Sequence, residues 1–461
     1  MGIIAGFMVP HPPMIVPDIG RGSEAQVKET TRAYERVADE IASLCPETIV
    51  ITSPHSIMYA DWFHISPGSK ASGSFAGFRA PNVTFNEEYD TQLVAEICRL
   101  AKEADFPAGT EGERDKTLDH GTMVPLWFIR NKYKGGKIVR IGLSGLPLTD
   151  HYKLGMLIKE AAENLDRRTV IIASGDLSHK LQEYGPYGYV PEGPQYDERI
   201  MDVMGRAAFD ELFDFDEGFC DRAAECGHRS FVIMAGAFDG TAVKAERLSH
   251  QDVTGVGYGI CTFYPEGDSE DRRYLYARLS KMEAEITARR EQSDEYVKLA
   301  YKAVDAWVSR RETIPVPEGL PSEMLTRRAG TFVSIHKHGA LRGCIGTIGP
   351  TQGSVASEII ENAKSASTRD PRFSPIQTAE LPHLEITVDV LGEAEDIDSE
   401  DELDVKRYGV IVRSGHKRGL LLPDLDGVDT PAQQIDIARQ KAGIRKFEKI
   451  SLQRFEVIRH Y

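Results

Sequence analysis

Three short apolar, β-branched runs constrain this chain more than any other feature, because each leads into a histidine. Ile3 to Val9 stops at Pro10-His11-Pro12-Pro13, Glu47 to Ser53 stops at Pro54-His55, and Thr169 to Ser174 runs into Gly175-Asp176-Leu177-Ser178-His179. Proline lacks the amide that a sheet ladder needs and restricts the residue before it. His11 and His55 are therefore expected just past strand ends. Segments with helical periodicity, Ser23 to Leu44, Asn86 to Ala104 and Asp150 to Asn164, separate the runs. Strands alternating with helices predict an α/β domain, a central and largely parallel sheet flanked by helices. Such sheets keep their ligands outside the carboxyl ends of the strands.

The pattern continues with a strand over Lys137 to Leu143, a helix over Tyr196 to Phe213, and an apolar helix or strand over Phe231 to Phe238. An edge strand within Ala242 to Tyr264 is expected to close the domain near residue 265. Residues 266–289 change character, beginning Glu-Gly-Asp-Ser-Glu-Asp-Arg-Arg, and read as a partly helical linker. From 290 to 461 the order differs: helices over Tyr296 to Arg310, Gln352 to Ser367 and Pro431 to Ala442, with strands over Gly330 to Lys337, Leu384 to Gly392, Gly409 to Arg413 and Gly419 to Pro423. That mixture predicts a separate α+β domain, and 461 residues are too many for one compact core.

Charge and cysteine usage narrow the class. A net charge of −16 argues against a general nucleic-acid binder. Six cysteines without CxxC spacing fit a reducing cytoplasm and give no zinc-ribbon signal. No apolar stretch approaches the roughly 20 residues needed to span a bilayer, and no basic region precedes the first apolar run. The expectation is a cytoplasmic protein.

The candidate chemistry lies at the strand ends. His11, His55 and His179 are joined by His120, set between Asp119 and Gly121, and by the adjacent pair Glu225-Cys226. Two histidines and a carboxylate with open positions suit a non-haem ferrous ion. Further histidines near it would move protons, since imidazole titrates near neutral pH. His64 and His151 read as structural or exposed, and His228 and His250 as surface or packing residues. Gly255-Val256-Gly257-Tyr258-Gly259 lacks the spacing of a nucleotide fingerprint.

Val9-Pro10-His11-Pro12-Pro13, Ser53-Pro54-His55-Ser56, Asp119-His120-Gly121 and Gly175-Asp176-Leu177-Ser178-His179, in this order, resemble the class III extradiol dioxygenases, the LigB-like group whose fold Memo-type proteins share. The resemblance covers roughly residues 1 to 265. It implies that His11, His55 and Glu225 are the metal ligands and that His120 and His179 are the proton-transfer histidines. It also implies Fe(II), with Zn or Cu as alternatives, acting on a small-molecule substrate such as a catecholic diol. Memo-like proteins use a cysteine near Cys226, so the third ligand is open between the two neighbours, with Glu225 the expectation. A thiolate would favour a softer metal.

In the second half, Leu341-Arg342-Gly343-Cys344-Ile345-Gly346-Thr347 sets a guanidinium and a thiol among glycines that let a ligand approach the backbone. Together with Arg369-Asp370-Pro371-Arg372-Phe373 and Gly419-Leu420-Leu421-Leu422-Pro423 it resembles the AMMECR domain family. Arg342, Cys344, Arg369, Asp370 and Arg372 are the candidate substrate-binding residues. The fusion resembles AmmeMemoRadiSam system proteins, which implies a separate radical-SAM partner carrying an iron–sulfur cluster, and a homo-oligomer is expected. The leading expectation is a metal-dependent oxidoreductase. The alternatives are a non-catalytic scaffold of that system and an enzyme centred on Cys344.

Overall fold

The computed structural model describes residues 2–337, 340–425 and 427–461. The chain divides into two compact units, Met1–Leu279 and Ser280–Tyr461.

The first unit is built on a six-stranded sheet. Its strands are β1 (Ile3–Val9), β2 (Thr48–Ser53), β3 (Lys137–Gly142), β4 (Thr169–Ser174), β5 (Thr241–Gln251) and β6 (Tyr258–Asp268), in the order β3-β2-β4-β1-β6-β5. The first four run parallel, and β6 and β5 pair antiparallel. Every residue of β2 and β4 is buried, which is why those runs are apolar without polar alternation.

Successive side chains enter opposite layers. Ile49, Ile51, Val170 and Ile172 pack with α1 (Lys28–Leu44) on one face. Val50, Ile171 and Ala173 pack on the other face, with helices α2 (Thr91–Glu103), α4 (Leu148–Asn164), α5 (Glu192–Arg206) and α7 (His228–Gly236). The first layer also holds α3 (His120–Lys132), while the short α6 (Glu217–Ala223) lies on the second side. Because β1, β2 and β4 are parallel neighbours, the segments that follow them emerge at one end of the sheet.

Two expectations change and one that was open is settled. Asn86 to Ala104 is not one helix: Ala80–Glu88 is a strand paired with Lys70–Phe75, and α2 starts only after Asp90, whose carboxylate accepts the Leu93 amide. The glycine-rich Tyr258 segment is not an edge. It lies between β1 and β5, and β5 is the edge. The Phe231 run is helical, inside α7. Helix α3, with Pro125 in its interior, had no counterpart among the expectations.

The stretch expected as a linker is largely helix, α8 (Tyr274–Gln292). The second unit adds α9 (Glu295–Arg310), α10 (Val355–Thr368) and α11 (Pro431–Lys441). Its strands are β7 (Thr331–Lys337), β8 (Ala340–Gly346), β9 (Leu384–Leu391), β10 (Glu395–Ile397), β11 (Tyr408–Ser414), β12 (Lys417–Leu421) and β13 (Ser451–His460). They form an antiparallel sheet ordered β8-β7-β9-β13-β11-β12, with β10 also on β13. Val333, Ile335, Ile386 and Val388 pack against α9 and α10, and Val410, Val412 and Leu421 against α11. The unit is α+β. Among the described residues no helix is long and apolar enough to cross a membrane.

His151 on α4 is fully buried, hydrogen-bonded through Nδ1 to the Pro147 carbonyl at 3.0 Å, and burial lowers its pKa to about 3. The unfolded chain holds this proton below about pH 6.5 and the native state does not. Stability therefore falls as pH drops from about 6.5 towards 3, by up to about 1.4 kcal/mol per pH unit from this group. His151→Gln should flatten the acid limb when denaturant unfolding is compared near pH 6 and near pH 4. An unchanged slope would contradict the assignment.

Candidate metal centre

The end of the sheet gathers three ligand atoms. His11, His55 and Cys226 each offer one, all within 4.8 Å of one another. His11 Nε2 lies 2.9 Å from His55 Nε2 and 3.7 Å from Cys226 Sγ. A transition ion with nitrogen ligands at about 2.0–2.1 Å and sulfur at about 2.3 Å has ligand–ligand edges of about 3–3.6 Å. The 2.9 and 3.7 Å separations stand just beyond the two ends of that range, so these donors lie close to the spacing that one shared ion needs.

Protonation also fits. Ser174 Oγ donates its single proton to the Gly121 carbonyl at 2.6 Å, so it accepts from His11 Nδ1 at 3.0 Å. The neutral His11 ring therefore turns its Nε2 lone pair to the other two groups. Burial, then the neighbouring His55, lowers the His11 pKa to about 3. Burial also lowers His55, and burial with the charges of His55 and His11 takes His120 to about 4. Neutral imidazoles are what a metal requires. Burial holds the Cys226 thiol well above its ordinary range, with the Asp176 charge acting the same way. The thiol needs a bound cation to ionise.

Of the adjacent pair, the structure brings Cys226 rather than Glu225 to the histidines. Ala224, at φ +54°, ends α6 in the left-handed region and turns the chain. The Asp176 amide donates to Cys226 Sγ at 3.3 Å, and Glu225 accepts the His228 amide at 2.6 Å at the start of α7. This placement depends on two glycines: a Cβ on Gly175 would stand 2.1 Å from Gly227 Cα. The loops carrying Asp176 and Cys226 thus meet backbone to backbone.

Around the ligands stand the other two histidines. The His120 ring is 4.0 Å from the His55 ring and 5.3 Å from Phe78, centroid to centroid. Asp119 caps α3 through the Thr122 amide and accepts from Ser53 Oγ at 2.6 Å, and Ser53 Oγ accepts the His55 amide. His179 Nδ1 donates to the Ala224 carbonyl at 2.5 Å, leaving Nε2 as the ring nitrogen outside that bond. Tyr187 packs edge-on against that ring.

Sequence reasoning passed over Asp176 and the Asp197–His250 pair. Asp176 is buried and accepts the His11 amide at 2.8 Å. Asp197 joins His250 Nε2 at 2.8 Å and the Ser178 amide at 2.9 Å, holding the segment that presents His179. Asp176 was visible inside the Gly175–His179 motif, whereas nothing in the sequence pairs residue 197 with 250. His64, His151 and His228 are buried packing residues.

Of the second-unit candidates, Arg372, Asp370 and Cys344 bond one another, while Arg342 and Arg369 face other carboxylates. Arg342 grips Glu380 with two bonds of 3.0 Å. Arg372 grips Asp370 at 2.9 and 2.7 Å, and Asp370 also accepts the Cys344 amide. Arg369 is exposed, 3.8 Å from Glu361. Cys344 Sγ accepts from Ser334 Oγ at 3.2 Å, and burial pushes its thiol pKa up. That is the opposite of an activated thiolate.

Comparison with known proteins agrees with this division. The family described as the catalytic LigB subunit of aromatic ring-opening dioxygenase matches residues 5–261, and the AMMECR1 family matches residues 297–460. A protein of Clostridium acetobutylicum is 39% identical over 468 residues, covering 100% of this chain and 99% of its own length. A Thermotoga maritima protein is 46% identical over 167 residues, 36% of this chain and 96% of that protein. Among solved structures, an uncharacterized protein from Pyrococcus horikoshii is 27% identical, with a TM-score of 0.35, over 37% of this chain and 91% of that one.

Proposed function

Since the chain belongs to the family of catalytic LigB subunits of aromatic ring-opening dioxygenases, with an AMMECR1 domain behind it, we propose that it is a metal-dependent oxidoreductase whose metal is held by His11, His55 and Cys226. The observation that carries this is the convergence of those three donor atoms within 4.8 Å at the carboxyl end of a parallel sheet. A transition metal held there, with iron the family's expectation and copper the other redox metal suited to a thiolate, supplies Lewis-acid and redox chemistry to a small substrate.

The chain's own groups do the rest. His179, with Nδ1 bonded to the Ala224 carbonyl, offers Nε2 as the base that accepts a substrate hydroxyl proton. His120, kept neutral by burial, lies over the His55 ring at the start of a capped helix; it takes up the proton of the diol's second hydroxyl and returns that proton to the product. Phe78 and Tyr187 pack edge-on against the His120 and His179 rings. The AMMECR1 domain completes the reading as the part that binds or channels substrate, and a separate radical-SAM partner is proposed from the resemblance to the AmmeMemoRadiSam fusion alone.

The test is oxygen uptake by metal-loaded protein across a panel of catechols and related diols. Uptake dependent on His179 supports the reading, and no uptake with any diol counts against ring-opening chemistry. His179→Gln should lower kcat by about a hundredfold while metal content stays unchanged. A variant that loses its metal would make His179 a structural or ligand residue instead.

A further inference from the structure

Away from the metal centre, the first unit carries a groove of about 760 Å³ between a strand and a helix. Strand Ala80–Glu88 lines it with every residue from Asn82 to Glu88, and α3 lines it with Trp127, Arg130 and Asn131. Alternate side chains of a strand point to opposite faces, so lining residues in unbroken succession mean that the groove runs along the strand's edge. The helix residues are spaced i, i+3 and i+4, one face of α3.

That edge is unpaired. The strand belongs to a two-stranded sheet, and from Thr84 to Glu88 its ladder with Lys70 to Ser74 is regular. On the other side, among the described residues, no backbone hydrogen bond from another segment reaches Asn82 to Glu88. Open edges are ordinarily blunted or covered. Here the helix is held beside the edge instead. Arg130 donates to Glu87 at 2.6 Å and to the Gly136 carbonyl at 3.0 Å, and the ion pair, mostly shielded from water, forms the floor. With Arg130 and Glu87 committed to each other, the exposed rim carries Lys134 and Lys137, which have no partner among the described residues, against one unpaired acid, Glu88. On a chain of net charge −16, a rim with two free ammonium groups runs against the prevailing sign.

We propose that this groove docks an extended, acidic segment of a partner protein, which adds a strand to the Asn82–Glu88 edge. Main-chain hydrogen bonds along the edge supply affinity, Lys134 and Lys137 select carboxylates, and half-buried Trp127 gives the segment an apolar wall. A second copy of this chain fits less well. Its own edge comes with α3 beside it, and pairing would crowd the lysines of both copies around one seam. None of the groove residues belongs to the metal centre, so the two readings stand or fall separately.

Fluorescence polarisation with the full chain and a fluorescein-labelled peptide, Thr-Val-Glu-Val-Glu-Val-Thr-amide, tests this. The peptide should bind at least about tenfold more tightly than its counterpart with lysine at both glutamate positions. N-methylation of alternate amides should weaken binding by about tenfold in one phase and leave it unchanged in the other, because only one edge of the added strand faces the groove. Lys134→Glu combined with Lys137→Glu should weaken the acidic peptide by about tenfold and reverse the preference, with an unchanged circular dichroism spectrum. Equal binding of the acidic and basic peptides, indifference to N-methylation in both phases, or an unaltered affinity in the double variant would overturn the proposal. So would a dimer, seen by light scattering, that the acidic peptide dissociates, since the edge would then belong to a second copy.

Discussion

His11→Ala should leave a folded protein that holds less than about a tenth of an equivalent of metal and has only background oxygen uptake. His11 is the hub of the centre: its Nε2 is the atom placed at 2.9 Å from His55 and 3.7 Å from Cys226. Its orientation is fixed twice, by Ser174 Oγ on Nδ1 and by Asp176 on the backbone amide. Removing the ring leaves two donors, one of them a thiol that burial keeps protonated. Such a pair holds a metal far more weakly than three. The fold should tolerate the change because the ring lies past the end of β1, outside the apolar layers. Metal analysis with circular dichroism checks it, and full metal content in the folded variant would remove His11 from the ligand set.

Arg140→Met should cost about 3–5 kcal/mol of stability. Arg140 lies within β3 and is 2% exposed. Its guanidinium donates to Ser66 Oγ at 2.7 Å and to the carbonyls of Thr117 and Asp115 at 2.6 and 3.2 Å. It also stands 3.7 Å from Glu113 and 3.8 Å from Asp119. Methionine fills much of the volume but leaves both carboxylates without their cation. Because Asp119 also holds Ser53 and starts the His120 helix, the damage extends to the centre. Denaturant unfolding should show a large shift in midpoint, and a loss below about 1 kcal/mol would mean that the network is not a stability determinant.

These two residues mark the limits of what the sequence reveals. His11 was legible because proline on both sides of a histidine after an apolar run says where the strand stops. Arg140 was not, since a cation inside Lys-Ile-Val-Arg-Ile-Gly signals burial with a partner without naming Glu113 or Asp119. The parallel strands were legible because both faces are buried and the composition is uniform. Strand β13 escaped notice although it lies in the middle of its sheet. Phe455 is its one fully buried side chain, so it reads as a polar tail. Asn86 to Ala104 misled because a strand alternating Val83, Phe85 and Glu87 gives way to helix within three residues.

The choice between Glu225 and Cys226 was beyond spacing, since neighbours differ only in direction. Direction is set by Ala224 in the left-handed region and by the Gly175–Gly227 contact across the fold. A side chain on either glycine pushes apart the loops that carry Asp176 and Cys226, a tertiary constraint that no local pattern records.

A thiolate, not a carboxylate, is expected to complete the metal set. Metal content after anaerobic purification with iron supplied, compared between Cys226→Ala and Glu225→Gln, tests it most directly. Near one equivalent is expected in the parent protein and in Glu225→Gln, and below about a tenth in Cys226→Ala. Full metal in Cys226→Ala together with its loss in Glu225→Gln would contradict it.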